Sequence, residues 1–349
     1  MPKLILRSPN HVGDCVMSLS AVDALRELFR ESEINVLAPD FVAGLYKRHP
    51  SVDNVITLRD AHHGVASINA THKALQKAGG DFEIGILFTD SLSAALGFKL
   101  AGVTNIYGHS GSGKSLLLRD SLNPVTRAHR TVKYQILARF SAKRFWENPY
   151  WVDDVTFESP AIYFSEVERA AAKTLVEKSC AGHFVAIAPQ AVAESRRWGL
   201  ENYSALAKRI IKELNHDVIL VGSHADRDAA DKLISLTGEH SRRVHSLCGA
   251  TKLRGAAALL ERASAFVGND SGLAHLAALV NRPLVILSGA DDPSVTSPLS
   301  KNKTVIREDQ LECISCVKNK CPLAGDSHLL CMRQITVERV FDLLSERLP

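Results

Sequence analysis

The 349-residue chain has no uninterrupted apolar run approaching the ~20 residues a helix needs to cross a bilayer. A spanning helix is therefore excluded. The N-terminus lacks the long apolar core of a leader, since Lys3 runs straight into a short apolar strand, and the protein is expected to stay in the cytosol. Charge of one sign is not in excess: 42 Lys and Arg face 38 Asp and Glu, and a net charge of +4 is too small to argue for nucleic acid. A disulfide framework is missing as well. Cys15, Cys180 and Cys248 stand singly in apolar surroundings, as reduced packing residues do.

The chain does have a globular composition, 46% hydrophobic and 23% charged, and it is too long for one ordinary core. Two domains are expected. Basic residues are unevenly spread. Between Lys99 and Arg144 they recur with Asp120 as the sole acid, forming either a solvated face or a surface for an anionic ligand or membrane.

Short β-type runs alternate with helical spacing, which specifies parallel sheets covered by helices. The first half reads as strands at Leu4–Arg7, Ile34–Ala38, Val55–Leu58 and Glu83–Phe88, with a helix carrying Val16, Leu19, Val22, Leu25 and Leu28. The pattern restarts with strands at Phe184–Ala188, Asp217–Val221, Ala265–Gly268 and Leu284–Leu287, and helices at Tyr203–Leu214 and Ala256–Ala263. The join falls in 159–182, and a terminal helix at Ile335–Leu348 is capped by Thr336. The expected class is α/β, two Rossmann-like doubly wound domains at 1–165 and 166–334, with ligands at the carboxyl ends of the strands.

One segment carries the most chemistry: Gly268-Asn269-Asp270-Ser271-Gly272-Leu273-Ala274-His275. A buried strand ends in a sharp polar turn and a helix starts at once. Asn269 or Asp270 can cap that helix, and the N–H groups of Ser271 and Gly272 lie at its positive end, where a diphosphate binds without a metal. His275 comes one turn on; a capped helix with a core histidine is the plainer reading. Arg196-Arg197-Trp198, after the first strand of the second half, can complement phosphates in a bidentate way. Ser223 and Asp226, at the end of the next strand, stand where an acid can hold ribose hydroxyls. In the first half, Asp14 ends a Gly-containing turn and opens a helix, as a cap or as a general base.

Two further patterns stay open. Gly108-His109-Ser110-Gly111-Ser112-Gly113-Lys114-Ser115 fits the phosphate-loop spelling. Its preceding apolar run is weak, and Asn123-Pro124 interrupts the chain about two turns later, so a loop carrying Lys114 toward an anionic acceptor is preferred. Cys313-x2-Cys316-x4-Cys321-x9-Cys331 reads as a structural zinc site, as redox-labile thiols or as packing thiols.

Together these strings resemble the ADP-heptose:lipopolysaccharide heptosyltransferases, glycosyltransferase family 9, and within it the heptosyltransferase II branch. The resemblance covers essentially the whole chain. It rests on Val12-Gly13-Asp14 with Ser18, on Arg196-Arg197-Trp198, and on Val221-Gly222-Ser223 with Asp226. It rests further on Leu247-Cys248-Gly249, the Asn269–His275 string, Gly289 to Pro293, Ser297-Pro298-Leu299-Ser300 and the cysteine cluster. It implies a GT-B fold, with two Rossmann-like domains facing a cleft and a terminal helix, 335–349, crossing back to the first. It implies inverting, metal-independent transfer from ADP-L-glycero-β-D-manno-heptose to a lipid A-linked core, the second heptose onto heptosyl-Kdo2-lipid A, at the cytoplasmic leaflet of the inner membrane. No cofactor is required.

Asp14 matches the family's base. Arg196, Arg197, Asp270, Ser271, Gly272 and His275 match the donor side, with Ser223 and Asp226 for ribose or adenine. Gly13, Asp90, Ser91, Lys114, Arg119 and Arg130 are the acceptor-side candidates. Arg196 departs from the usual Lys, and Pro189–Ser195 lacks the usual Gly-rich spelling. Competing readings are transfer to another core position, a phosphate-loop ATPase or kinase, and a non-catalytic sugar-nucleotide sensor.

Overall fold

The computed structural model describes residues 1–59, 64–147, 155 and 160–348, so Ser159, where the expected join begins, lies outside the described residues. The chain divides into two compact units, Met1–Tyr163 and Phe164–Pro349, close to the boundary expected at 165.

The first unit holds six parallel strands: β1 (Lys3–Arg7), β2 (Glu33–Pro39), β3 (Asn54–Leu58), β4 (Ile84–Leu87), β5 (Asn105–His109) and β6 (Asp120–Leu122). Their order in the sheet is β3-β2-β1-β4-β5-β6. The second unit holds β7 (Phe184–Ala188), β8 (Asp217–Leu220), β9 (Val244–Ser246), β10 (Ala265–Asn269), β11 (Leu284–Leu287) and β12 (Lys303–Ile306), ordered β12-β11-β10-β7-β8-β9. The same winding occurs twice. The order reverses between β1 and β4 in one sheet and between β7 and β10 in the other, and each reversal opens a crevice at the strands' carboxyl ends.

Most strands read from sequence lie inside the sheets, where apolar runs such as Phe184–Ala188 are buried throughout; β3, an edge strand, is the exception. The strands not assigned are β5, β6, β9 and β12, which sit at or near the edges. Only part of each is apolar, so periodicity gives little signal. Strand closeness is enforced at Gly268: a Cβ there would stand 2.7 Å from the Phe266 ring and 3.2 Å from Ala188. Only glycine lets β10 lie so tightly beside β7.

Helices cover both sheets. In the first unit Ile5, Leu37, Leu87 and Ile106 pack with Ala95 and Phe98 of the helix Leu92–Leu100. In the second, Val185, Val218, Val267 and Val285 pack with Leu206 and Ile210 of the helix Leu200–Leu214.

The terminal helix Val337–Ser345 does not behave as expected. Its apolar face, Val340, Phe341 and Leu344, is buried in the core of the second unit, against Leu200–Leu214 and β11. Burying each such side chain contributes roughly 1.5–3 kcal/mol, which fixes the helix there. Thr336 does cap it, accepting from Arg339 N–H at 3.3 Å. Among the described residues no helix is long and apolar enough to cross a membrane.

Candidate functional site

The first crevice is built on the turn after β1. Buried Arg7 donates to Ser8 O at 2.6 Å and to Asn10 Oδ1 at 2.8 Å, so its guanidinium braces the turn from beneath. Burial lowers the pKa of that guanidinium to about 10. The turn delivers the chain into the helix Val12–Leu28, whose first turn holds Gly13 and Asp14. The N-cap position is His11, and it makes no side-chain cap bond. Asp14 is not the cap. Its carboxylate, 11% exposed, meets Arg130 Nη1 at 2.5 Å.

Arg130 opens the helix Arg130–Phe145, and Lys133 and Tyr134 lie three and four residues on, along the same face. These residues, with Asp14, Asp90 and His109, line a cavity of about 380 Å³ within the first unit. Tyr134 is held well above its ordinary pKa, by burial first and then by the charge of Asp14. Burial lowers the pKa of His109, and its Nε2 has no hydrogen-bond partner among the described residues. Sequence reasoning named Asp14, Asp90 and Arg130 here and missed His109, Lys133 and Tyr134. The i, i+3, i+4 spacing from Arg130 is the signal that could have found the last two.

Three other acceptor-side candidates have structural work of their own. Ser91 caps the helix Leu92–Leu100, accepting from Ala94 N–H. Arg119 binds Asn105 Oδ1 at 2.7 Å beside the outer strands and does not line the cavity. Lys114 corrects the expectation that its loop carries it outward. The side chain is fully buried, and Nζ donates to Thr89 O at 3.1 Å and to Asp90 Oδ1 at 2.8 Å. It braces the β4 loop.

The phosphate-loop reading fails on the same segment. Gly111, Ser112 and Gly113 all adopt positive φ, and they lead only into a four-residue 3-10 turn, Lys114–Leu117, where a phosphate loop needs a full helix.

The second crevice gathers the ends of β7, β10 and β11. Asn269 does not cap the helix Gly272–Leu279; Ser271 holds the N-cap position without a side-chain bond. Asn269 is buried and ties three segments together. It accepts from Trp198 N–H at 3.2 Å and Tyr203 OH at 3.0 Å, and donates to Pro189 O at 3.0 Å. Trp198 in turn donates its indole N–H to Ile335 O at 2.7 Å. The Arg-Arg-Trp string is thus part scaffold.

Asp270 does not cap the helix either. It is buried, its Oδ2 has no hydrogen-bond partner among the described residues, and its pKa is pushed up to about 7. Burial is the main cause and Asp291 the next, opposed by Arg196 and Lys303. Arg196 pairs with Asp291 across 2.5 Å between Nε and Oδ2. Arg197 donates Nε–H to Ala191 O, and His275 is buried.

Ser223 and Asp226 close their own turn: Ser223 N–H and Oγ donate to Asp226 Oδ2 at 2.7 and 2.8 Å. Lys303 reaches Ser297 Oγ and Pro298 O at 2.9 and 2.7 Å, which accounts for the Ser-Pro-Leu-Ser string.

The cysteine segment laces these loops. Ser195 N–H donates to Asn319 O at 3.1 Å and its hydroxyl to Lys318 O. Ser315 N–H donates to Gly289 O and Val317 N–H to Ala290 O. Cys313, Cys316, Cys321 and Cys331 are not joined in disulfides. They gather around Cys331, whose thiol is pushed up by burial and by the other three. Cys321 Sγ accepts from Leu329 N–H. Among the described residues no group of three or more His, Cys, Asp or Glu side chains is arranged so that it could hold a metal ion.

The description "Glycosyltransferase family 9 (heptosyltransferase)" matches residues 70–325. Lipooligosaccharide heptosyltransferase 2 of Haemophilus ducreyi is 30% identical over 313 residues, covering 87% of this chain and 88% of that protein. Lipopolysaccharide heptosyltransferase 2 of Escherichia coli K12 is 29% identical over 311 residues, with the same coverage. The solved structure of E. coli ADP-heptose LPS heptosyltransferase II is similar with a TM-score of 0.81 and 26% identity, over 99% of this chain and 98% of that one. The two parallel doubly wound sheets are those of the GT-B fold. By these matches the chain belongs to glycosyltransferase family 9, the heptosyltransferases, and is a glycosyltransferase.

Proposed function

We propose that the protein transfers heptose from ADP-L-glycero-β-D-manno-heptose to the lipopolysaccharide inner core, adding the second heptose to heptosyl-Kdo2-lipid A. The observation that carries this reading is Asp14, a carboxylate in a cavity at the first sheet's reversal point, poised by a cation and not used up as a helix cap. The names of the relatives supply the sugar and the acceptor.

In this mechanism Asp14 takes the proton of the acceptor hydroxyl as its oxygen attacks the anomeric carbon. The new C–O bond forms on the face opposite the departing ADP, so the anomeric centre inverts. Arg196 and the N–H groups at the start of Gly272–Leu279 stabilise the charge growing on ADP, which removes the need for a metal. The cations Arg130 and Lys133 meet anionic groups of the acceptor. The basic stretch from Lys99 to Arg144 favours work at the cytoplasmic leaflet, as a peripheral and salt-sensitive association.

The test is ADP release from ADP-heptose with EDTA present, using either Kdo2-lipid A or heptosyl-Kdo2-lipid A. Release stimulated by the heptosylated acceptor is expected. Release stimulated only by the other acceptor would move the reaction to another core position. Dependence on added metal would overturn the metal-free mechanism.

A further inference from the structure

Arg196 is paired to a carboxylate that the transfer chemistry does not use. Asp291 is 6% exposed at its side chain, lies just beyond β11, and approaches Arg196 Nε to 2.5 Å. The N–H is not aimed squarely at the oxygen, so the contact is an ion pair and not an aligned hydrogen bond. The guanidinium is 31% exposed, and among the described residues its two Nη groups carry no hydrogen bond. One side of the fork is therefore held by protein and the other left over. A lysine cannot be held in this way, because its single ammonium would be claimed by the carboxylate.

The loops on which the pair stands are themselves tied. Ser195 is bonded to Lys318 and Asn319, while Gly289 and Ala290 accept from Ser315 and Val317. Beside the pair lies Asp270, nine-tenths buried, with an oxygen lacking a partner. The charged and titratable groups around Asp270 are Asp291, Arg196 and, from β12, Lys303, with His275 on the helix after it.

We propose that Asp291 is a positioning residue for Arg196: its charge holds the guanidinium at the Nε edge so that both Nη groups are presented to the donor's diphosphate. This rests on the donor-site reading of Arg196 under the proposed function. It gives a physical reason for an arginine at this place, since the carboxylate and the two-sided cation work only together. Binding of the diphosphate beside Asp270 also disfavours the charged form of that carboxyl. Donor affinity is accordingly expected to weaken as pH rises past 7, where the free protein's Asp270 loses its proton.

The experiment is steady-state transfer, with ADP-heptose varied, for wild type, Asp291→Asn, Asp291→Glu, Arg196→Ala, Arg196→Lys and the doubles R196A/D291N and R196K/D291N. Melting temperatures of each confirm that it is folded. Asp291→Asn should lower kcat roughly tenfold, a fraction of the ~10²–10³ that removing a charge-stabilising donor costs, with donor KM changed far less. Asp291→Glu should recover part of the loss. Well below pH 7, where Asp270 keeps its proton with or without the Asp291 charge, R196A/D291N should be no slower than R196A, because there the second change acts on transfer through Arg196. R196K/D291N should be faster than R196K, once the ammonium is no longer captured.

The pH profile adds a reading that a merely structural role would not move. The fall in donor kcat/KM above pH 7 should begin at lower pH in Asp291→Asn, since loss of the neighbouring charge lowers the pKa of Asp270. Penalties that multiply in R196A/D291N well below pH 7, or an Asp291→Asn protein indistinguishable from wild type, overturn the proposal. Normal donor kinetics in Arg196→Ala would instead overturn the diphosphate assignment itself.

Discussion

The two units repeat one winding, and each sets an Asp–Arg pair at the point where its strand order reverses. In the first, Asp14 is buried and Arg130 exposed at 44%; in the second, Asp291 is buried and Arg196 exposed at 31%. Both pairs close to 2.5 Å. The difference lies in which member has chemistry left to do. Asp14 stands in the first turn of a helix and lines a cavity, so the carboxylate is the reactive partner and the arginine its counter-ion. Arg196 sits on a short turn beside a helix N-terminus, so the cation is the useful partner and the carboxylate its support. The same pair thus serves a base in one half and an anion site in the other.

The most severe way to break this comparison is Asp14→Asn. Turnover should fall by at least the ~10²–10⁴ expected for loss of a general base, while ADP-heptose binding measured by calorimetry stays close to wild type. A variant that turns over normally would remove Asp14 from the mechanism.

A smaller effect, and one of stability, tests the burial of Asp270. Its folded-state pKa, about 7, lies above the ordinary 3.8. The folded protein therefore holds this proton more tightly than the unfolded chain, and stability is lost as pH rises between those values. Asp270→Asn should consequently raise the melting temperature more at pH 8 than at pH 5, by an amount equivalent to roughly 1–3 kcal/mol. Equal shifts at both pH values would show that Asp270 ionises freely.

The mildest change is Lys114→Met. It should weaken nucleotide affinity less than twofold, yet lower stability by roughly 1–3 kcal/mol as Thr89 O and Asp90 lose their buried donor. Abolished Mg-ATP binding would instead restore the phosphate-loop reading.

Much of this was legible in the sequence. The central strands are continuous apolar runs, so their positions could be read within a residue or two, and Asp14, Arg196 and Asp270 stand out by their strand-turn-helix punctuation. Periodicity could not give direction. A Gly/Ser loop before Lys114 looks like a flexible carrier. Only the partners across the sheet, Thr89 and Asp90, show that the ammonium turns inward. Asn269 had the composition of a cap, but Trp198 and Tyr203 take its amide oxygen and Pro189 O takes its amide nitrogen. The terminal helix could be placed in sequence but not in space, because its apolar stripe fits any complementary face. The Arg196–Asp291 pair joins residues 95 positions apart, beyond the reach of any local pattern.

The lacing of the second crevice by residues 315–319 also bears on the order in which the protein is made. The residues that hold Asp14 in place, from Arg7 to Arg130, leave the ribosome early and as one stretch. The turn carrying Arg196 must wait more than a hundred residues for Lys318 and Asn319, and Trp198 waits for Ile335. In a chain that emerges from its N-terminus, the base is in place long before the anion site can be closed. A truncation only a few tens of residues short of the end would therefore leave the first crevice built and the second unfinished.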